Sequence, residues 1–546
     1  MRLVERRIGL LFAAFLALLL FATFRAAWLG TVRSDSLRQR ALTQQVDDLA
    51  VPAHRGTITD RHGVELAVSE DATTVYANPF LIRDPGAVAH KLAPLVGQPE
   101  PELLAKLSDK RKGFVYLARK IDSRRADALD KLEIEGIGTV VEPKRRYPQG
   151  PLASQLVGFV GTDNVGLAGI EQGREKLLHG SDGERKIVKD ALGKAVNLVD
   201  VKRAKPGKDL RLTIDAAIQE RAEAVLAQVG QAYQPKGATA LVTDPRTGEI
   251  LAAANWPRVN ANNVQGAPSY ARQNRAVAAA YEPGSTFKAI TVGGALAEGL
   301  VSPDTPFSLP PTINVADRTI KEAHDRGGVT LTVADILAQS SNVGAVKIGL
   351  RLGATRFDKW VRNFGFGSAT GVDLPGESPG IVPRLDQYSG ASLGNLPIGQ
   401  GLAVTPIQMA AAYGAIANGG VLRPPHVTAG APVGAKRIIS ARTAHVLSRM
   451  LEGVLGPGGT AQEAAVKGYK LAGKTGTAEK PDGHGGYSKT RFVASFIGYA
   501  PVRRPRLLVS VMVDEPKGSI YGGVVAAPAF EKIVSFALPY LRIPPD

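Results

Sequence analysis

The sequence predicts a mixed α/β fold of the α+β kind: a membrane-anchored chain whose larger part is a five-stranded antiparallel sheet flanked by helices. Three observations predict it. A basic leader runs straight into an apolar segment at the N-terminus, strand-like runs lie at both ends of residues 210–546, and the stretch between them has a helical pattern. A sheet that joins the two ends, covered by the helices from the middle, is the economical arrangement.

The anchor comes first. Arg2, Arg6 and Arg7 precede the unbroken apolar run Ile8–Phe24, which spans roughly 25 Å, or about 34 Å when continued to Gly30, enough for a bilayer. Residues 1–7 then form a cytoplasmic tail and 8–30 a transmembrane signal-anchor, with Arg25 able to snorkel beside Trp28. A cleaved signal peptide is the rival, but the run exceeds a usual signal core and no small-x-small site follows. On either reading the rest is exported. Leu37, Ala41, Leu42, Val46 and Leu49 recur at helical spacing, predicting a stalk helix over 31–50.

Residues 51–209 mix short strand-like runs with charged helices. Their distinctive pieces are Arg55-Gly56-Thr57-Ile58-Thr59-Asp60-Arg61, Arg145-Arg146-Tyr147-Pro148 and Gly166-Leu167-Ala168-Gly169-Ile170-Glu171. None offers a nucleophile with a partner; they read as turns and ion pairs that clamp segments together. Lys202–Asp209 is a linker.

From there Leu210–Ile214 alternates like a strand and Ala216–Val229 reads as a helix. Ala238–Thr243 and Ile250–Ala254 form a hairpin across Asp244-Pro245-Arg246-Thr247-Gly248-Glu249. Tyr469–Thr477, Phe492–Tyr499 and Leu507–Val513 supply the three late strands.

Composition narrows the function. The 546 residues carry a formal charge of +17 and a pI of about 9.8, which suits an anionic phospholipid or cell-wall surface. Basic residues are scattered among acids with no aromatic-interleaved stripe, so no nucleic-acid partner is expected. There are no cysteines, which excludes disulfides, thiolate metal sites and a Cys nucleophile. The eight His form no HExxH, against a zinc hydrolase.

The chemistry centres on Tyr281-Glu282-Pro283-Gly284-Ser285-Thr286-Phe287-Lys288. Pro283-Gly284 makes a turn and Ser285 reads as the first residue of a helix, so Lys288 shares its face. Lys288 can take the serine proton if the site is dry enough to keep the amine neutral. Alone, this spacing is common, and a capping Ser followed by a solvated Lys is its ordinary meaning. Two further motifs change that: Ser340-Ser341-Asn342 interrupts a helical pattern, and Lys474-Thr475-Gly476-Thr477 ends a strand-like run. Ser-x-x-Lys, Ser-x-Asn and Lys-Thr-Gly in that order are the motif set of the penicillin-recognising serine enzymes. Gly468–Thr475 also satisfies the P-loop pattern, but no helix is expected after it, as phosphate binding requires.

These three motifs resemble the transpeptidase domain of class B penicillin-binding proteins. Arg55-Gly56 with Asp60-Arg61, Arg145-x-Tyr147-Pro148 and Gly166-x-x-Gly169-x-Glu171 resemble that family's elongated N-terminal pedestal, of the dimerisation type. The resemblance implies a pedestal over 51–209 and a transpeptidase domain over 210–546. The Ser-Ser-Asn form, the Tyr-Glu-Pro-Gly lead-in and Gly399-Gln400-Gly401 with Thr405-Pro406 are most similar to the division-specific (FtsI type) branch. His62, where Asn is usual, and Gln155, where His is usual, depart from the pattern, and the expectation is that both bear on partner contacts.

The resemblance implies a D,D-transpeptidase that cross-links peptidoglycan stem peptides through a Ser285 acyl-enzyme and is acylated by β-lactams. Lys288 would be the base, Ser340 a proton relay, Asn342 a holder of the donor peptide and Lys474 a source of positive potential. Thr475, Gly476 and Thr477 would bind substrate, and the backbone N–H groups of Ser285 and Thr477 would form the oxyanion hole; no metal or cofactor is required. Implied partners are a polytopic shape-and-division glycosyltransferase (FtsW type), other division proteins and the membrane. Rivals are an elongation-type transpeptidase, a carboxypeptidase, a non-catalytic sensor or scaffold, and a β-lactamase. The last needs a base for water, and among Asp358, Asp373, Glu377 and Asp386 none begins the expected Glu-x-x-Leu-Asn pattern.

Overall fold

The computed structural model describes residues 2–31, 46–189, 195–323, 327–484 and 486–545. The helix Arg2–Thr31 contains Arg7–Leu29, long and apolar enough to cross a membrane. Leu10, Leu11 and Phe24 on it are exposed, as lipid-facing side chains are.

The expected stalk helix needs correction at its described end. Val46–Val51 is a strand, paired antiparallel with Gly183–Val188 in a three-stranded sheet that continues to Ala195–Lys202. Pairing with residues far along the chain overrides the local helical spacing of Val46 and Leu49. Residues 32–45 lie outside the described residues.

Contacts divide the chain into two units, each assembled from separate segments: residues 1–54, 70–144 and 179–207 in one, 55–69, 145–178 and 208–546 in the other. Besides its sheet, the first unit has helices Pro85–Val96 and Glu100–Ser108, which bury Leu92, Leu103 and Leu107 with Leu117 of strand Val115–Ile121. Asp84 caps the first of these helices by accepting from Ala87 N, the role expected of an aspartate there.

The second unit is built on five antiparallel strands in the order Ile250–Trp256, Gly237–Thr243, Leu507–Asp514, Tyr487–Ala500, Ala472–Pro481. The early hairpin meets the late strands where Gly237–Thr243 pairs with Leu508–Asp514. Every residue of Gly237–Thr243 and Leu507–Asp514 is buried, so both faces of the sheet are covered. Helices Ala216–Tyr233 and Ala527–Tyr540 pack on it and on each other, as do Pro406–Ala417 and Ala441–Glu452.

Two expectations shift in detail. Leu210–Ile214 yields only the strand Leu210–Arg211, paired in parallel with Ile58–Thr59 outside the main sheet. The helical middle also carries two small ladders, Pro306–Leu309 with Val329–Thr332 and Thr312–Val315 with Arg318–Lys321.

The three distinctive N-terminal pieces all fall in the second unit. Arg55 Nε donates to Glu171 Oε2 at 2.9 Å and Arg145 Nε to Glu171 Oε1 at 2.6 Å, with all three side chains at 0–1 % exposure. Tyr147 exchanges hydrogen bonds with Asn262: its N–H donates to Oδ1 and its carbonyl accepts from Nδ2. The two departures from the family pattern both make contacts within the chain. Gln155 is buried and donates to the carbonyls of Pro257 and Ala271. His62 Nε2 lies 3.1 Å from Oδ2 of Asp215, the residue that caps helix Ala216–Tyr233.

Candidate active site

Pro283 opens a 3-10 turn, Gly284–Phe287, that passes directly into the α-helix Lys288–Ala297. Ser285 thus sits in a tighter turn ahead of the helix rather than at its first residue. The turn is held from outside: Tyr413 Oη donates to Thr286 O at 2.7 Å, and Gly284 N donates to Gly399 O at 3.1 Å. Gly284 has φ +53°, and a Cβ there would lie 2.8 Å from Thr477 O. A Cβ on Gly476 would lie 2.9 Å from Pro283 O. Only glycine at these two positions lets the serine turn and the Lys474 strand come together.

The second motif forms the junction between helices Val333–Ala338 and Asn342–Leu352. Ser340 adopts φ +60°, a region non-glycine residues occupy only when their surroundings enforce it. Lys288 Nζ donates to Ser340 O at 2.6 Å and to Asn342 Oδ1 at 2.7 Å, with Ser340 Oγ at 3.3 Å. Asn342 Nδ2 donates to Lys321 O at 2.9 Å. Oδ1 and one N–H of the expected peptide-holding amide are therefore engaged within the protein.

Lys474, Thr475, Gly476 and Thr477 lie in the edge strand of the sheet, which leaves backbone groups unpaired on its outer side. Lys474 is fully buried, with Nζ 3.4 Å from both Thr475 O and Oγ1. Thr475 Oγ1 pairs with Thr460 Oγ1 at 2.7 Å, and Thr477 Oγ1 accepts from Gly522 N at 3.2 Å. The P-loop match thus ends inside a paired strand that continues to Pro481 and is followed by another strand, not by the helix a phosphate loop needs.

Ser285, Ser340, Asn342, Thr475 and Thr477 line one cleft of about 1090 Å³. Lys288 and Lys474, both at 0 % exposure, contact its lining residues from within the protein. The acids weighed from sequence as a hydrolytic base are absent from the lining, which instead includes Glu463 and Glu479. Glu377 staples a loop, accepting from Thr370 N and Oγ1 at 2.6 Å each. Glu282, ahead of the serine turn, accepts from Gly401 N and Tyr487 Oη at 3.1 Å each. Burial pushes its carboxyl up to about 7, in spite of those two hydrogen bonds, which act in the opposite direction.

Sequence reasoning missed Glu322, Thr460 and the Tyr521-Gly522-Gly523 wall of the cleft. Glu322 lies twenty residues before Asn342, so no local spacing links it to the motif it touches. Its one sequence signal was the need of the helix start at Asn342 for an acceptor.

Residues 238–535 match the penicillin binding protein transpeptidase domain, and residues 50–212 the penicillin-binding protein dimerisation domain. The chain is 34% identical to the peptidoglycan D,D-transpeptidase FtsI of Escherichia coli K12, over 100% of this chain and 93% of that protein. It is also 34% identical to stage V sporulation protein D of Bacillus subtilis, over 99% and 87%. The crystal structure of penicillin binding protein 3 from Mycobacterium tuberculosis, complexed with aztreonam, matches with a TM-score of 0.71 at 30% identity, covering 91% of this chain and 98% of that one. With both domains matched and relatives aligned along its whole length, the chain belongs to the penicillin-binding protein transpeptidase family.

Proposed function

We propose that this chain is a serine-type peptidoglycan D,D-transpeptidase that works through a Ser285 acyl-enzyme in septal wall synthesis and is covalently acylated by β-lactams. The observation that carries the reading is Lys288, buried beside the serine turn and hydrogen-bonded to Ser340 and Asn342 on the wall of the same cleft.

Ser285 Oγ attacks the carbonyl carbon between the two terminal D-alanines of a stem peptide while Lys288 takes the hydroxyl proton. The backbone N–H groups of Ser285 and Thr477 receive the oxyanion; removing one such donor typically slows reaction by about 10²–10³. The C–N bond breaks, and the terminal D-alanine leaves with a proton relayed from Lys288 through Ser340. An amine of a neighbouring strand then attacks the ester carbonyl and loses its proton by the same route. Ser285 is regenerated and the cross-link is made. The remaining N–H of Asn342 orients the donor peptide, Lys474 supplies positive potential, and the hydroxyls of Thr475 and Thr477 donate to the substrate carboxylate across Gly476.

The leader Arg2, Arg6 and Arg7 favours a cytoplasmic N-terminus and an extracytoplasmic catalytic domain. FtsI-type relatives favour placement at the septum and an FtsW-type glycosyltransferase and other division proteins as partners. The direct test supplies the full-length protein in detergent with a pentapeptide donor and an amine acceptor and reads products by mass spectrometry. Cross-linked product with release of one D-alanine per bond is expected. Release of D-alanine without cross-links, whatever acceptor is offered, would make it a carboxypeptidase.

A further inference from the structure

We propose that Glu322 is the positioning residue that holds the Ser340-Ser341-Asn342 segment in register with Lys288, so that its carboxylate sets the rate of Ser285 acylation without touching substrate. This rests on the reading of Ser285 and Lys288 given above.

Glu322 directly follows the strand Arg318–Lys321. Its Oε1 accepts from Ser341 Oγ and, at 3.2 Å, from Val343 N; its Oε2 accepts from Asn342 N at 2.9 Å. Those two N–H groups belong to the first turn of helix Asn342–Leu352 and have no acceptor within it. Ser341 Oγ accepts the next one, from Gly344, at 2.9 Å. One serine and one carboxylate thus satisfy the start of the helix, where a negative charge also meets the favourable end of the helix dipole.

The consequence reaches the active site because Lys288 bonds to the residues on either side of Ser341. Ser340 O and Asn342 Oδ1 both meet Nζ with Ser340 at φ +60°, a conformation that persists where neighbours over-determine it. The neighbouring carbonyl completes the arrangement: Lys321 O accepts from Asn342 Nδ2, which turns Oδ1, and not the NH₂ group, toward Lys288. The end of one small hairpin therefore fixes both the backbone and the amide orientation of the motif.

The role requires a carboxylate. Glu322 faces three donors, and a glutamine amide in either orientation would set its NH₂ against the N–H of Asn342 or of Val343. Glu322→Gln, nearly the same size, thus separates charge and acceptor count from bulk.

The test uses the full-length protein in detergent and a fluorescent penicillin. It measures the limiting acylation rate and the half-saturating concentration separately, normalised to end-point label so that only folded sites count. Glu322→Gln should lower the limiting rate about 10–100-fold, with half-saturation within about threefold of wild type, the signature of misplacement and not of lost ligand contact. Glu322→Asp, which keeps the carboxylate, should recover to within about tenfold of wild type, and Ser341→Ala should fall between wild type and Glu322→Gln. A Glu322→Gln limiting rate within about twofold of wild type would overturn the proposal, as would equal rates for the Gln and Asp variants. Loss of label stoichiometry with a wild-type rate on the remaining sites would overturn it too, reducing Glu322 to a folding role. An unlabelled wild type would sink the reading of Ser285 itself, and the inference with it.

Discussion

Two places in the same unit bury cations with almost no exposure, and they bury them differently. Arg55 and Arg145 meet the carboxylate of Glu171, and Arg55 also meets that of Glu175, so two cations are matched by two acids. Lys288 donates hydrogen bonds to three neutral oxygens, those of a peptide carbonyl, an amide and a hydroxyl. A carboxylate partner favours the charged form of its cation strongly by Coulomb attraction, whereas neutral acceptors favour it by hydrogen bonding alone, so burial weighs more heavily against the charge there. The arginine cluster has the chemistry of a fastener; the lysine site is the one proposed to act as a base.

Substitutions can break this contrast in order of expected effect. Lys288→Met should slow penicillin labelling of Ser285 by about 10³ or more, with a melting temperature equal to or above that of wild type, because an apolar side chain replaces a buried amine. Stopped-flow labelling beside a melting curve checks both halves, and a near-normal rate would remove Lys288 from the mechanism. Arg145→Met should do the reverse. Leaving Glu171 with one partner fewer should cost about 3–5 kcal/mol, seen as an earlier denaturant transition, while the acylation rate per folded site stays within about twofold.

The third substitution sharpens the contrast with pH. The Glu282 carboxyl titrates near 7 when folded because of burial and near about 4.3 in an unfolded chain. Between those values the folded state holds a proton that the unfolded state has lost. The stability from this group is therefore complete below about pH 4.3 and is lost as pH rises through about 7. Glu282→Gln should remove that loss, so its melting temperature should gain on wild type by about 2–4 °C between pH 5 and 8. Parallel curves across that range would contradict the assignment. The smallest effect belongs to Tyr413→Phe, which deletes the hydrogen bond to Thr286 O. It should cost about 1 kcal/mol and slow labelling by no more than about tenfold, as measured by the same melting and labelling assays.

Much of this arrangement was legible in the letters because it is local. The anchor shows as composition, the five strands as alternation between turns, and the three motifs as fixed spacings. What was hidden depends on partners far along the chain. Val46–Val51 is a strand because of residues 183–188, and Gln155 is an internal donor because Pro257 and Ala271 lie beside it. Ser285 reads as a helix start, yet it lies in a 3-10 turn whose Thr286 carbonyl accepts from Tyr413 Oη and whose Gly284 N–H donates to Gly399 O. Glu322 had no local pattern at all. Its meaning is the set of donors that the fold brings to it. The three N-terminal motifs lie within residues 50–212, matched by the dimerisation domain, and their contacts group them with residues 208–546.

The central claim is that Ser285 forms a long-lived acyl-enzyme. The measurement that tests it most directly is peptide mass spectrometry on the full-length protein, wild type and Ser285→Ala, followed for hours after brief exposure to penicillin. An intact drug adduct on the peptide containing Ser285, persisting for hours and absent from the variant, is the predicted result. Rapid loss of the adduct with accumulation of ring-opened drug, or an adduct on any other residue, would contradict the account.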